Sequence, residues 1–258
     1  MQGDNFKEYR RLEFLHAPWR AGWAALLVGV AAVAGCQWLI PRLPAVAVEL
    51  MRVGFRLGDM AGVVLFNDYA AVYFFAFFAG LIGLLGVVAV PREERRLEVL
   101  LVKPVPAATL VAARTWPVLA MAALVGLGTS AACATSAWLL RGEIGPAGAF
   151  GAGAMMTAVV VLELAALGAA FVRIKDTMLA VLIALLTAIA PLMPTATFLY
   201  RPDVYDGREA LASAIVTANL VWYADTLAWL GPLALGGALV AAAGLVRASG
   251  HRLARAGV

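Results

Sequence analysis

The chain has 258 residues, of which 63% are hydrophobic and 14% are charged, and its formal net charge is +4. Soluble domains carry about 45–50% apolar and about 25% charged residues, so this composition excludes a soluble globular domain and predicts a protein solvated largely by lipid. The excess of positive charge is a topology signal in such proteins, and we expect no nucleic-acid partner.

Residues 5–16 predict an amphipathic helix on the membrane surface, an elbow before the first span. Phe6, Tyr9 and Leu12 recur every three residues, and most basic side chains lie on the other faces. A basic helix with one apolar edge lies in the plane of the lipid headgroups, and Pro18 ends it. A disordered basic tail is the alternative interpretation.

Six segments are apolar over the roughly 20 residues that a helix needs to cross the hydrocarbon core. They are residues 22–40, 69–90, 115–140, 150–172, 177–200 and 226–246. The first is preceded by a charged segment and lacks a small-residue cleavage site, so it is interpreted as a span and not as a signal peptide. The sequence therefore predicts an all-α polytopic membrane protein with six transmembrane helices in one domain, residues 1–258.

The Lys and Arg residues predict the orientation, because cytoplasmic loops are enriched in them. With the N-terminus inside, fourteen of the twenty lie in the cytoplasm and six lie outside. We therefore expect both termini to be cytoplasmic. The preference for Arg over Lys favours a bacterial chain, and hence a bacterial cytoplasmic (inner) membrane.

The loop after the second span, residues 91–114, carries the most informative pattern. A short helix is predicted over residues 92–103, because Leu97, Leu100 and Leu101 share one face and charges occupy the others. Pro104 ends this helix. The result is an amphipathic rod that a soluble partner could hold, and an interfacial helix that only covers the helix ends is the alternative.

The order of residues in this loop resembles the first cytoplasmic loop of the six-helix permeases of ATP-binding cassette (ABC) exporters, the type V fold. In those permeases the second span is followed by an acidic–basic pair, Gly-Thr-Leu-Glu, leucines and Pro-Val. The matching positions here are Glu94, Arg95, Leu97, Glu98, Leu100, Leu101, Pro104 and Val105. The usual Gly-Thr is absent, so the loop is at least one residue shorter and the start of its helix is not fixed.

The resemblance implies a function for the whole chain. It would be the permease subunit of an exporter, itself non-catalytic, working with a second copy of itself or a sister permease. ATP and Mg would be held by separate cytoplasmic ATPase subunits, and residues 92–103 would couple them to the spans. We expect no cofactor in this chain, and the family also has an elbow helix before its first span.

Two other functions stay open on the residues alone. A non-transporting membrane scaffold or assembly factor could dock a soluble protein through the loop 91–114, and an intramembrane enzyme could use Glu163 or Glu93. No Lys follows a glycine-rich phosphate loop. Both histidines, His16 and His251, lie at the edges of spans, so the sequence does not favour a metal site within the bilayer.

Glu163 lies in the middle of the fourth span, where an ionisable side chain typically marks a functional site. A structural hydrogen bond, a contact with substrate or a proton, and a pairing across a subunit interface are all possible. Pro191 and Pro194 interrupt the fifth span and predict either a kink beside a pathway or a re-entrant end.

Small residues predict close packing of the second span. Gly80, Gly83 and Gly86 recur every three residues and let another backbone approach, either within the monomer or at a dimer seam. Cys36 and Cys133 lie in apolar runs and are interpreted as small core residues. The aromatic residues of the second span could line a path for an apolar substrate or could face lipid.

Overall fold

The computed structural model describes residues 18–54, 60–96, 106–141, 145–189, 206–207 and 224–255. The elements in these ranges are helices, which we label α1 (Trp19–Leu39), α2 (Ala45–Gly54), α3 (Met60–Leu84), α4 (Ala107–Leu140), α5 (Pro146–Phe171), α6 (Thr177–Ile189) and α7 (Ala224–Arg255). A short 3-10 helix, Ile40–Arg42, follows α1. The predicted all-α fold is confirmed.

Helix α3 does not end at Leu84. It continues through five residues of π-helix, Leu85–Ala89, and then through a last α-helical turn, Val90–Glu93. We call Leu85–Ala89 the π segment.

Five helices in the described part of the chain, namely α1, α3 with its extension, α4, α5 and α7, are long and apolar enough to cross a membrane. The sixth, α6, is apolar and has 13 residues. The rest of the predicted fifth span, with Pro191 and Pro194, lies outside the described residues, and so does the predicted elbow helix 5–16. The multi-span architecture is confirmed.

Several helices extend beyond the predicted spans. The helix α3 begins at Met60 and not at residue 69, α4 begins at Ala107 and not at residue 115, and α7 runs to Arg255. The predicted bounds marked the apolar runs alone. A helix needs only its own backbone hydrogen bonds to continue into the polar layer, and Pro106 sets the start of α4 from just outside its first turn.

Contacts at glycines establish the directions of the central helices. A Cβ on Gly80 would meet Ala122, and one on Gly83, three residues later, would meet Val118. The contact therefore moves backwards along α4, so α3 and α4 are antiparallel. Helices α4 and α5 are antiparallel for the same reason, because Gly126 lies against Thr157 and Gly153 against Ser130.

The start of α1 and the end of α7 lie on the same side of the bundle. Gly250, near the end of α7, lies against Ala108 at the start of α4. On α1, Gly22 lies against Met121 and Gly29 against Thr129, so α1 and α4 are parallel. We call this side the basic end. It gathers the described residues Arg20, Arg92, Arg95, Arg96, Arg114, Arg173, Lys175 and Arg247, whereas Arg42 and Arg141 lie at the opposite end.

The centre of the bundle is formed by α3, α4 and α5. In their most apolar stretches 56%, 50% and 56% of the residues are buried, against 17% in α1 and 28% in α7. Large apolar side chains cover the outer faces, including Trp23, Leu27, Trp38, Leu182, Leu186, Trp229 and Val240. Such a surface is solvated by lipid and not by water, in keeping with a membrane protein.

Helices α5 and α7 touch backbone to backbone. A Cβ on Gly151 would overlap the main chain of Leu227, and a Cβ on Gly231 would overlap the main chain of Gly151. Only hydrogen fits at either position, so the two glycines allow the closest helix crossing in the described bundle. We call this crossing the glycine seam.

Candidate functional site

The π segment ties the end of α3 to the start of α4 at the basic end. A π turn spaces its backbone hydrogen bonds one residue wider than an α-helix does, and such turns occur frequently at functional sites. The guanidinium Nη1 of Arg114 on α4 donates a hydrogen bond of 3.1 Å to the carbonyl oxygen of Val87 inside the segment. The Arg114 side chain of α4 is thereby hydrogen-bonded to the π segment.

The chain turns sharply after Glu93. The N–H of Glu94 donates to the carbonyl of Val90, and the N–H of Arg95 donates to the carbonyl of Arg92. Arg95 then takes φ 57°, the left-handed conformation that ends many helices. Arg96 is helical again.

This geometry corrects the predicted start of the coupling helix. Arg92 and Glu93 are the last residues of the helical extension of α3, so a separate helix in this loop begins no earlier than Arg96. The sequence pattern placed the boundary too early because Arg92 and Glu93 are as charged as the residues that follow them. Five of the predicted coupling residues, Leu97, Glu98, Leu100, Leu101 and Pro104, lie outside the described residues.

The side chains at this turn divide into one buried residue and several exposed ones. Arg92 is only 6% exposed, whereas Glu93, Glu94, Arg95 and Arg96 all point to the surface. Glu94 and Arg96 form an ion pair of 2.7 Å. Exposed pairs of this kind contribute only about 0–1 kcal/mol, so their charges are readily exchanged for those of a partner.

Glu163 of α5 is half-buried in the bundle and lies at the meeting point of three helices. Its Oε2 is 2.8 Å from the hydroxyl of Tyr73 on α3. The same hydroxyl is 3.1 Å from the main-chain carbonyl oxygen of Ala188 on α6. Tyr73 itself is 2% exposed. Among the described residues Glu163 therefore has a structural hydrogen-bond partner, and the contact joins α3, α5 and α6.

The glycines predicted on the second span do not behave alike. Gly80 lies against Leu164 and Ala122, and Gly83 lies against Val118, so both pack within the chain. A Cβ on Gly86 would meet nothing within 4 Å, which leaves Gly86 as the one of the three whose side faces open space.

The aromatic residues of α3 do not line one common path. Tyr73 and Phe77 are buried and stacked with a centroid distance of 5.9 Å, whereas Phe74 and Phe78 stack at 6.2 Å on a partly exposed face. Two faces of α3 are thus aromatic, one toward the bundle and one toward its surroundings.

A second buried acid, Asp68 on α3, was missed by the sequence analysis. It is 0% exposed, and neither carboxyl oxygen has a hydrogen-bond partner among the described residues, although the Ser136 hydroxyl on α4 lies nearby. The predicted second span began at residue 69, one residue too late to include Asp68. The apolar run at residues 61–66 was the signal that the helix starts earlier.

The surroundings of Asp68 combine polar and apolar groups. Cys133 is buried, Cys36 is half-buried, and both are free thiols. A cavity of about 370 Å³ between α1 and α4 is lined by Gln37, Thr135 and Ser136 on its polar side. No group of three or more His, Cys, Asp or Glu within the described ranges could hold a metal ion.

Comparison with protein-family models, with curated proteins and with solved structures gave no match. Function is therefore inferred from the residues and from the contacts described above.

Proposed function

We propose that this chain is the permease subunit of an ABC-type exporter. It would form the translocation path across the bilayer and couple to separate cytoplasmic ATPase subunits, which bind ATP and Mg. The chain itself carries out no bond chemistry in this proposal. Its second subunit is another copy of the chain or a sister permease.

The loop between α3 and α4 is the observation that carries the proposal. Its residue order from Glu94 to Val105 resembles the coupling loop of the type V permeases, and it leaves the bundle at the basic end. Loops rich in Lys and Arg stay in the cytoplasm, where ATPase subunits are found. The exposed turn at Glu94 and Arg95 fits a segment that a soluble protein grips.

Coupling needs a mechanical path from this loop into the spans. A force on the loop acts on α3 through the turn at Glu94–Arg95 and on α4 through its first residue, Ala107. The hydrogen bond from Arg114 to the Val87 carbonyl joins these two helices near the loop, at the basic end. Displacement of the loop would thus move α3 and α4 together.

The experiment is the replacement of the leucine face. Burying one leucine contributes about 1.5–3 kcal/mol, and an exposed ion pair contributes about 0–1 kcal/mol, so the leucines should dominate the interaction. We expect Leu97→Asp and Leu100→Asp to abolish co-purification of an ATPase subunit with the tagged chain from native membranes. Substrate-stimulated ATP hydrolysis of the complex should be lost with it.

The matched controls are Glu93→Ala and Arg96→Ala, which alter exposed charges beside the leucines. Arg92 is unsuitable as a control because it is buried. Both control variants should retain the ATPase. A chain that purifies with no ATP-hydrolysing subunit, or leucine variants that leave the complex intact, would refute the proposal and favour a scaffold that docks a different protein.

A further inference from the structure

The hydroxyl of Tyr73 has one hydrogen but lies near two possible hydrogen-bond acceptors. A tyrosine hydroxyl carries one hydrogen, and a main-chain carbonyl or an ionised carboxylate carries none. The Tyr73 oxygen nevertheless lies within hydrogen-bond distance of two acceptors, at 2.8 Å from Glu163 Oε2 and at 3.1 Å from the carbonyl oxygen of Ala188. One hydrogen serves only one of these two contacts well.

Protonation of Glu163 supplies a second hydrogen, so that each of the two contacts has a donor. The protonated carboxyl donates its O–H to the Tyr73 oxygen, and the Tyr73 O–H is then free to donate to Ala188. If Glu163 is ionised, the Tyr73 hydrogen turns to the carboxylate, because a charged acceptor binds it more strongly. The Tyr73 oxygen and the Ala188 oxygen then face each other with no hydrogen between them.

Helix α6 has few other contacts with the described bundle. Its buried residues, Ala180, Ala184 and Ala188, form one narrow alanine stripe, while Leu182 and Leu186 point outward. Ile183 packs partly buried beside this stripe. In lipid the burial of apolar area adds little attraction between helices, so close packing and hydrogen bonds hold α6 on the bundle. Within the described residues, α6 packs mainly on the π segment and on α5.

The two ends of α6 are held differently. At its start, the Asp176 carboxylate accepts hydrogen bonds from the N–H groups of Met178 and Leu179, which caps the helix beside the short link from α5. Ala188 lies eleven residues further on. The start of α6 can therefore stay anchored while its far part leaves the bundle.

We propose that Glu163 is a proton-binding site that controls the docking of α6: the protonated carboxyl holds the far part of α6 on the bundle through Tyr73, and loss of the proton releases it. The inference does not depend on the exporter proposal, because it concerns contacts inside this chain.

The surroundings of the carboxyl are free of competing charge in the described part of the chain. Tyr73 from α3 is the titratable group that faces it. Helix α6 contains no ionisable side chain between Met178 and Ile189, and Lys175 and Asp176 precede it at the basic end. Arg114 of α4 lies toward that end, and so do Arg247 and His251 of α7, whereas Asp225 stands at the opposite end of α7.

The test measures the position of α6 directly. Spin labels at Leu186 in the far part of α6 and at Leu124 on α4, both outward-facing, would be placed in the whole chain with Cys36 and Cys133 replaced by alanine. Pulsed dipolar distances would be recorded over a series from about pH 4 to about pH 9, which begins near the ordinary glutamate pKa of about 4.3 and ends far above it. We expect one narrow distance at the lower pH and a second, longer population at the higher pH. The docked-to-released ratio should fall about tenfold, which corresponds to about 1.4 kcal/mol, a value within the usual range for one hydrogen bond.

Two variants distinguish the effect of the Glu163 proton from the effect of the Tyr73 hydroxyl on the position of α6. Glu163→Gln carries a permanent donor, so its amide should hold Tyr73 in the orientation that serves Ala188 and keep α6 docked across the pH series. Tyr73→Phe keeps the ring but removes the link, so it should show the released population even at the lower pH. Asp68→Asn, which alters the other buried acid of α3, should respond to pH as the wild type does.

Several results would overturn the proposal. A wild-type distance that does not change with pH would do so, as would a pH response that persists unchanged in Glu163→Gln. A pH response that disappears in Asp68→Asn would assign the site to Asp68 instead.

Discussion

In the described part of the chain, two carboxyl groups lie inside the bundle, and their surroundings differ in kind. Glu163 faces a tyrosine hydroxyl that it can hold in either protonation state. Asp68 is completely buried, and neither of its oxygens has a hydrogen-bond partner among the described residues. A buried charge without a partner costs several kcal/mol, so an additional unpaired charge at position 68 would be costly in this fold.

This difference predicts the effect of substitutions at Asp68. Asp68→Asn keeps the shape and adds no charge, so we expect normal membrane insertion and a change in unfolding free energy of about 1 kcal/mol or less. Asp68→Lys places an unpaired charge in the same space, so it should prevent recovery of folded protein. Thermal unfolding in detergent measures the first effect, and the yield of folded protein after solubilisation measures the second.

The matched control for Asp68→Lys is Asp206→Lys, at an exposed turn. It should fold like the wild type. Normal stability of Asp68→Lys would mean that water or a partner reaches this position in the folded protein.

Sequence reasoning found Glu163 but could not find its partner. An acid within an apolar run is visible in the sequence, whereas Tyr73 lies 90 positions away and is one of several aromatic residues in its helix. The fold alone decides which of them meets Glu163. Asp68 was missed for a different reason, because it lies at the margin of an apolar run whose edge was placed too late.

At the level of the elements, the long apolar helices were predictable and their crossings were not. Apolar runs specify which segments cross the bilayer, since each must satisfy its backbone within lipid. The glycines of α3 attracted attention by their regular spacing, yet Gly86 touches nothing nearby. The closest crossing uses Gly151 and Gly231, which stand 80 residues apart and share no pattern that a single sequence displays.

The glycine seam predicts an asymmetric response to added methyl groups. Gly151→Ala would force the main chains of α5 and α7 apart, so we expect a loss of about 1–3 kcal/mol in unfolding free energy. Gly86→Ala adds the same methyl group where nothing lies within 4 Å. It should be neutral or slightly stabilising, because alanine favours helix over glycine by about 1 kcal/mol.

Thermal unfolding of the two variants in the same detergent compares them directly. Equal midpoints for Gly151→Ala and Gly86→Ala would show that α5 and α7 can separate by a methyl group at no cost, and the seam would then not be a close crossing.

For the whole molecule, the helix directions place both chain ends of the described bundle on one side, together with most of its basic residues. The contact between Gly250 and Ala108 establishes this for α7. The positive-inside rule predicts that this side is cytoplasmic. The helix contacts do not determine the orientation of the bundle in the membrane, so the orientation needs its own test.

The orientation is tested by labelling single cysteines from outside intact cells, with Cys36 and Cys133 replaced by alanine. We expect Arg208→Cys to react with an impermeant thiol reagent and Arg96→Cys to react only after the membrane is opened. Reaction of Arg96→Cys in intact cells, with protection of Arg208→Cys, would reverse the orientation and remove the loop from the compartment that contains ATP.

The π segment has a consequence for evolutionary comparison. A π turn accommodates one residue more than an α-helix does over the same flanks, so removal of one residue from 85–89 would leave the faces of α3 on either side unchanged. Homologous chains should therefore tolerate a single-residue gap there, whereas a gap elsewhere in α3 would rotate Arg92 out of its buried position. An alignment of homologous chains should therefore be anchored separately before and after the π segment.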